Sequence, residues 1–165
     1  MTFTTHARKT RARTNLPELA LRLAGLESLW RPLVQYDPVS RYYARLASEP
    51  GFEAWLLTWV PGQGTEWHDH GGSAGAFVTL QGTLTERHAT VARDEPPRID
   101  PTPRSLVAGS VRPFGTRHVH RVTNQDLEPA VSLHVYAPAL VEMNQYEAKG
   151  SRLELVTSQL EGVNW

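Results

Sequence analysis

From Phe52 onward the chain is cut into short apolar runs by glycine, proline and Asn-Gln-Asp turns, and this punctuation favours strands over helices. Residues 52–60 (FEAWLLTWV) are rich in aromatic and β-prone side chains and stop at the Pro61-Gly62 turn. Residues 76–80, 83–88, 105–108, 110–113, 118–123, 130–136 and 153–156 read as further strands. Residues 92–104 hold four prolines and read as a polar connection. Many short strands with Gly/Pro turns indicate a closed or double-sheet β architecture. No internal repeat of solenoid or propeller length is present.

The first third reads differently. Residues 1–14 carry Arg8, Lys9, Arg11 and Arg13 and no acid, as expected of a flexible basic arm without a secretory signal. Residues 16–33 read as one helix, with leucines at three- and four-residue steps, Asn15 as N-cap, Pro17 early and Pro32 near the end. A second short helix is expected over 38–46. The expectation is one domain over residues 15–165: a mainly helical prelude at 15–50, then a barrel at 52–157.

Composition removes several function classes. Seventeen basic residues balance seventeen acidic ones, and without a basic excess a nucleic-acid partner is not expected. The absence of cysteine excludes disulfides, cysteine-ligated metals and a cysteine nucleophile within this chain, and agrees with an expected cytoplasmic location. No run of 18 apolar residues marks a membrane span.

The chemistry lies in the histidines. Five of the seven fall in or beside three strand-like segments: Trp67-His68-Asp69-His70, Arg117-His118-Val119-His120-Arg121 and Ser132-Leu133-His134-Val135-Tyr136. Side chains alternate along a strand, so His68 and His70 share a face, as do His118 and His120. The third segment puts Ser132, His134 and Tyr136 on one face. One His-x-His pair is weak; two, on strands of one barrel, point to a metal. His6 and His88 are expected at the surface, and Glu66, Asp69 and Glu86 are expected to be exposed or to support the ligands from behind.

The spacing of Gly62, His68, His70, Gly75 and Gly82, and of Gly109, Pro113, Gly115 and His120, resembles the two cupin motifs. Gly75 stands where that pattern usually has a glutamate. A three-histidine set with open positions remains, which suits a catalytic centre. The runs HDHGGSAGAFVTLQGTLTE (68–86) and HRVTNQDLEPAVSLHVYAP (120–138) resemble the cysteine dioxygenase type I family, thiol-oxidising members of the cupins. The resemblance covers roughly residues 42–156. It implies a mainly β, cupin-like double-sheet barrel (jelly roll) with N-terminal α-helices. It also implies one mononuclear non-haem Fe(II) per chain that oxidises L-cysteine with O₂ to 3-sulfinoalanine.

Position by position, the resemblance makes His68, His70 and His120 the metal ligands. Ser132, His134 and Tyr136 become a catalytic relay. Arg45 binds the substrate carboxylate, and Tyr43 and Trp59 are aromatic pocket positions. Mammalian members cross-link a cysteine to the tyrosine. Gly75 occupies that position here, as in bacterial members, so no cross-link forms. His118 competes with His120 for the third ligand position, and strand register decides between them. The expected partners are a small thiol and O₂, with no nucleic acid and no membrane, and the expected state is a monomer. The rival readings are a 3-mercaptopropionate dioxygenase, in which a glutamine usually replaces the arginine, and a non-catalytic metal-binding cupin that senses a small ligand.

Overall fold

A computed structural model describes residues 14–93 and 95–160; most of the basic arm, His6 and Trp165 lie outside them. Helix α1 (Leu16–Ala24) begins as its sequence dictates. The Asn15 side chain accepts a hydrogen bond from the Glu18 N–H at 3.3 Å, and Pro17 sits in the first turn, where its missing N–H costs nothing. The helix expected over 16–33 does not run through. It stops at Gly25 and resumes as α2 (Glu27–Trp30) and a 3-10 turn (Arg31–Leu33). Glycine weakens the helix at the first break, and Pro32 prevents a longer second segment.

The helix expected over 38–46 is absent, and the prelude is therefore not helical to residue 50. Asp37-Pro38 has the composition of a helix start. Instead, Asp37 Oδ1 accepts the Val39 and Ser40 N–H groups in a local turn. The chain then enters strand β1 (Tyr43–Glu49), which turns at Pro50-Gly51 and pairs antiparallel with β2 (Phe52–Trp59). Gly51 takes φ +110°, a conformation that suits only glycine, which closes the hairpin.

Ten strands follow: β3 (Trp67–Asp69), β4 (Ala74–Gln81), β5 (Thr83–Thr90), β6 (Arg98–Ile99), β7 (Arg104–Val107), β8 (Val111–Phe114), β9 (Val119–Thr123), β10 (Ala130–Ala137), β11 (Glu142–Lys149) and β12 (Arg152–Leu160). The two-residue β6 lies inside the segment expected to be a plain connection. Strand β11 (EMNQYEAK) carries no apolar alternation. Its half-exposed residues form a hairpin with β12, and long-range pairing outweighs its weak local preference.

The strands form two sheets, in the orders β1-β2-β10-β4-β8 and β6-β12-β11-β3-β9-β5-β7. Strand β6 also pairs with β5, so the second sheet closes on itself. The outer face of the first sheet is covered by Leu19, Ala20 and Trp30, which pack on Leu56, Val78, Val131, Leu133 and Val135. Its inner face looks into the barrel. Strand β10 is buried on both faces: odd positions pack under the helices, and Ser132, His134 and Tyr136 point inward. Leu133 is fully buried, and truncating such a residue costs roughly 2–5 kcal/mol. Among the described residues no helix is long and apolar enough to cross a membrane.

Candidate metal centre

Strands β3 and β9 run antiparallel and place His68 directly opposite His120. His70 follows β3 by one residue. The three rings converge, with centroids 4.6 Å (His68–His120), 4.9 Å (His68–His70) and 5.2 Å (His70–His120) apart. One nitrogen from each ring lies within 4.8 Å of those from the other two, and all three residues are buried. Burial, reinforced by the neighbouring imidazoles, holds His68 and His70 well below the ordinary histidine range. Burial also lowers His120, against the opposing pull of Glu86. All three rings are therefore neutral at pH 7, the form that offers a lone pair to a metal.

Between His118 and His120, the register of β9 favours His120 as the third member of the candidate set. His120 faces His68 and His70, whereas His118 Nε2 is bound to Glu86 Oε1 at 2.9 Å. The same oxygen is 2.9 Å from His120 Nδ1, and Arg112 Nε donates to the other carboxylate oxygen. Glu86 is fully buried. Burial pushes its carboxyl up, but the hydrogen bonds from His118, His120 and Arg112 outweigh this and hold it far below the usual range. A carboxylate only accepts, so His120 carries its proton on Nδ1 and keeps the Nε2 lone pair. The Glu66 carbonyl does the same for His68, accepting from Nδ1 at 2.9 Å. His70 Nδ1 is buried with no partner among the described residues. Three neutral imidazoles, two with their tautomers set from behind, fit a borderline divalent metal.

Beside the histidines runs the inner row of β10. Trp59 Nε1 donates to Ser132 Oγ at 2.9 Å, and Ser132 Oγ lies 2.8 Å from His134 Nε2. Among the described residues His134 is the acceptor within reach of the Ser132 hydroxyl. His134 thus carries its proton on Nδ1, which faces the Tyr136 hydroxyl at 3.4 Å. The Tyr136 proton is left to point elsewhere, toward the cavity that Tyr136 lines. Burial pulls His134 down to about 3, with help from the neighbouring His120 imidazole and Arg41 guanidinium. Burial also pushes Tyr136 up, so it stays a phenol. The Tyr136 ring is 5.1 Å from that of His70.

His68, His70, His120, Trp59, His134 and Tyr136 line one cavity of about 470 Å³. Tyr43 and Arg45 are exposed at its mouth; both pack on Trp55, with the Arg45 guanidinium 5.5 Å from the ring centre. Trp59 is both cavity wall and hydrogen-bond donor. Two charged lining residues escape the sequence reading. Arg41 lies 5.0 Å from the Trp59 ring centre and donates to the Gly64 carbonyl at 2.9 Å. Glu53 lies on β2 opposite Tyr136 of β10. Alternation along a strand through 41, 43 and 45 would have revealed Arg41, but the helical reading of this segment hid it. Asp69 points away from the cavity as alternation requires, yet it is buried. It accepts from Gly71 N–H, Asn144 Nδ2 and the Tyr146 hydroxyl, tying β3 to β11. His88 is half-buried, 3.6 Å from Asp100.

The family model for cysteine dioxygenase type I matches residues 18–149. The chain is 29% identical over 130 residues to cysteine dioxygenase type 1 of Danio rerio, across 73% of this chain and 62% of that protein. It therefore spans less than two thirds of that relative's length. Among solved structures it is similar to TT1209 of Thermus thermophilus, with a TM-score of 0.56 and 23% identity over 66% of this chain and 93% of that one. It is also similar to a cupin superfamily protein of Desulfitobacterium hafniense, with a TM-score of 0.53 and 14% identity over 66% and 87% of the two chains. At such identities the likeness is one of fold, and the double-sheet barrel is of the cupin type.

Proposed function

Since the chain belongs to the cysteine dioxygenase type I family, we propose that it is an Fe(II)-dependent thiol dioxygenase that converts L-cysteine and O₂ to 3-sulfinoalanine. The observation that carries this reading is the meeting, around one cavity, of three neutral imidazoles with Trp59, His134 and Tyr136, which Ser132 links from behind. The reaction balances without a further reductant: both oxygen atoms go to sulfur, which loses the four electrons that O₂ gains.

His68, His70 and His120 would hold the metal. Bound there, Fe(II) would supply a Lewis-acidic and redox-active centre open to a thiolate and to O₂. The protein's own residues do the rest. Arg45 can take a carboxylate with two parallel N–H donors, and its stacking on Trp55 orients the guanidinium. Tyr136 presents a hydroxyl proton beside the reacting sulfur. Ser132 and His134 fix that hydroxyl from behind, and Trp59 fixes Ser132.

The test is O₂ uptake by anaerobically Fe(II)-loaded protein with L-cysteine and, separately, 3-mercaptopropionate. Faster uptake with L-cysteine, and two labelled oxygens in the sulfinate from ¹⁸O₂, is the expected result. Preference for 3-mercaptopropionate would overturn the substrate. Absence of uptake with either thiol despite bound iron would overturn the dioxygenase reading and favour a metal-binding ligand sensor.

A further inference from the structure

Glu53 is a carboxylate that neither the metal set nor the relay uses. It is 3% exposed, yet it lines the cavity. One oxygen accepts the Leu140 N–H at 2.9 Å, and among the described residues the other has no partner. The ion pairs of the described residues do not include Glu53. A buried carboxylate with one hydrogen bond and, among the described residues, no ion-pair partner is under-compensated. Donors brought by a ligand would supply what the protein leaves out.

The placement narrows the ligand. Glu53 on β2 is the cross-strand neighbour of Tyr136 on β10. Arg45, on the far side of β2, pairs with Trp55 in the same sheet. The cavity wall therefore carries a guanidinium from β1 and a carboxylate from β2, within a volume that suits a small molecule. This arrangement complements a zwitterion better than a simple acid.

We propose that Glu53 is a specificity-determining residue: its open oxygen accepts an N–H from the substrate's amino group, so the pocket prefers aminothiols to thiols without an amine. The proposal rests on the thiol dioxygenase reading and refines it. Glu53 also has a structural task, since it anchors the Leu140 backbone. Glu53→Gln keeps an acceptor for that N–H and removes the charge.

The experiment uses Fe(II)-loaded wild-type and Glu53→Gln protein with L-cysteine, cysteamine and 3-mercaptopropionate. Dissociation constants are measured anaerobically, without turnover, and KM is measured in air. Cysteamine has an amine and no carboxylate; 3-mercaptopropionate has the reverse. In the wild type, L-cysteine binds more tightly than 3-mercaptopropionate. In Glu53→Gln, the ratio of affinities for cysteamine and for 3-mercaptopropionate falls roughly 10- to 100-fold, the range for one hydrogen bond to a charged group. A ratio unchanged within about twofold overturns the proposal even if activity drops. A wild type that binds neither aminothiol better than 3-mercaptopropionate overturns it without any variant. Wild-type protein that binds these thiols but oxidises none of them leaves the Glu53 ratio readable while the dioxygenase reading fails.

Discussion

Glu86→Gln tests how the candidate metal ligands are held. In the native site Oε1 accepts from His118 Nε2 and His120 Nδ1, each at 2.9 Å, and Oε2 accepts from Arg112. A glutamine has one acceptor and one NH₂. With its oxygen toward the histidines, the NH₂ meets a guanidinium that has no lone pair. With the amide reversed, the NH₂ meets His120, which can accept only by moving its proton to Nε2, the nitrogen a metal needs. Either way, at least one charge-assisted bond is lost, each worth about 1.5–3 kcal/mol. The Arg112 side chain is 17% exposed and recovers part of its loss from water. The expected cost is about 3 kcal/mol of stability in the metal-free protein. Metal affinity should fall roughly 10- to 100-fold. Urea unfolding reads the first quantity, and titration with redox-silent Zn(II) reads the second. Unchanged zinc affinity in a destabilised variant would refute the tautomer argument, because Glu86 would then serve the fold alone. A variant with both quantities within about 1 kcal/mol of the wild type would refute the whole account of this cluster.

Four further outcomes are expected. Tyr136→Phe should lower turnover with L-cysteine at least tenfold while leaving metal content unchanged, as checked by O₂ uptake and metal analysis; wild-type turnover would remove the hydroxyl from the mechanism. Arg45→Ala should raise KM for L-cysteine by roughly 10-fold or more and spare cysteamine, which has no carboxylate; equal effects on both would make Arg45 structural. Gly75→Ala should cost about 1–3 kcal/mol in thermal unfolding, because the new Cβ would lie 2.5 Å from the Val135 carbonyl oxygen and against the Phe114 ring. That ring stacks on His70, so metal affinity should fall too. Finally, the metal-free protein should lose stability as pH falls below about 6.5. His134 is held at about 3 when folded and regains its ordinary value of 6.5 when unfolded, so between these values only the unfolded chain takes up the proton. The stabilisation is complete above 6.5 and declines by up to about 1.4 kcal/mol per pH unit for this histidine; urea midpoints that are flat from pH 7.5 to 5.5 would contradict it.

How far the sequence could be read depended on whether local pattern and tertiary pairing agreed. The strands expected in the barrel are present because apolar alternation and Gly/Pro turns point the same way. The histidine pairs and the Ser132, His134 and Tyr136 face were legible for the same reason, since period-two alternation fixes which side chains share a face. What failed was the stretch from Asp37 to Glu49. Asp-Pro followed by mixed polar and apolar residues has the look of a helix start, while what makes it a strand is pairing with β2 across the hairpin, which its own local pattern does not reveal. That single misreading hid Arg41 and obscured the placement of Arg45 and Tyr43. Glu53 was missed for a different reason: an acid inside an apolar strand carries no local sign of facing a cavity. The choice between His118 and His120 also lay beyond local pattern, because both occupy one face. What favours His120 is the pairing of β9 with β3, which sets it opposite His68 and beside His70.

Strand β10 shows how the candidate catalytic groups come to lie at the centre of the molecule. A central strand covered on both faces normally reads as a continuous apolar run. Here Val131, Leu133 and Val135 do that on the helix side, while the opposite side carries Ser132, His134 and Tyr136. Three polar groups buried in a row would be costly without partners. They are supplied along the strand itself, at i and i+2, and by Trp59 from the next strand. The row is therefore self-satisfying except at its end, where the Tyr136 proton has no assigned acceptor among the described residues. The outer leucine and valines pack the strand against the helices, and this packing sets His134 and Tyr136 3.4 Å apart on the inner face. Packing on one face thus positions chemistry on the other. Loosening Leu133 would disturb the Tyr136 hydroxyl although the two side chains point to opposite sides of the sheet.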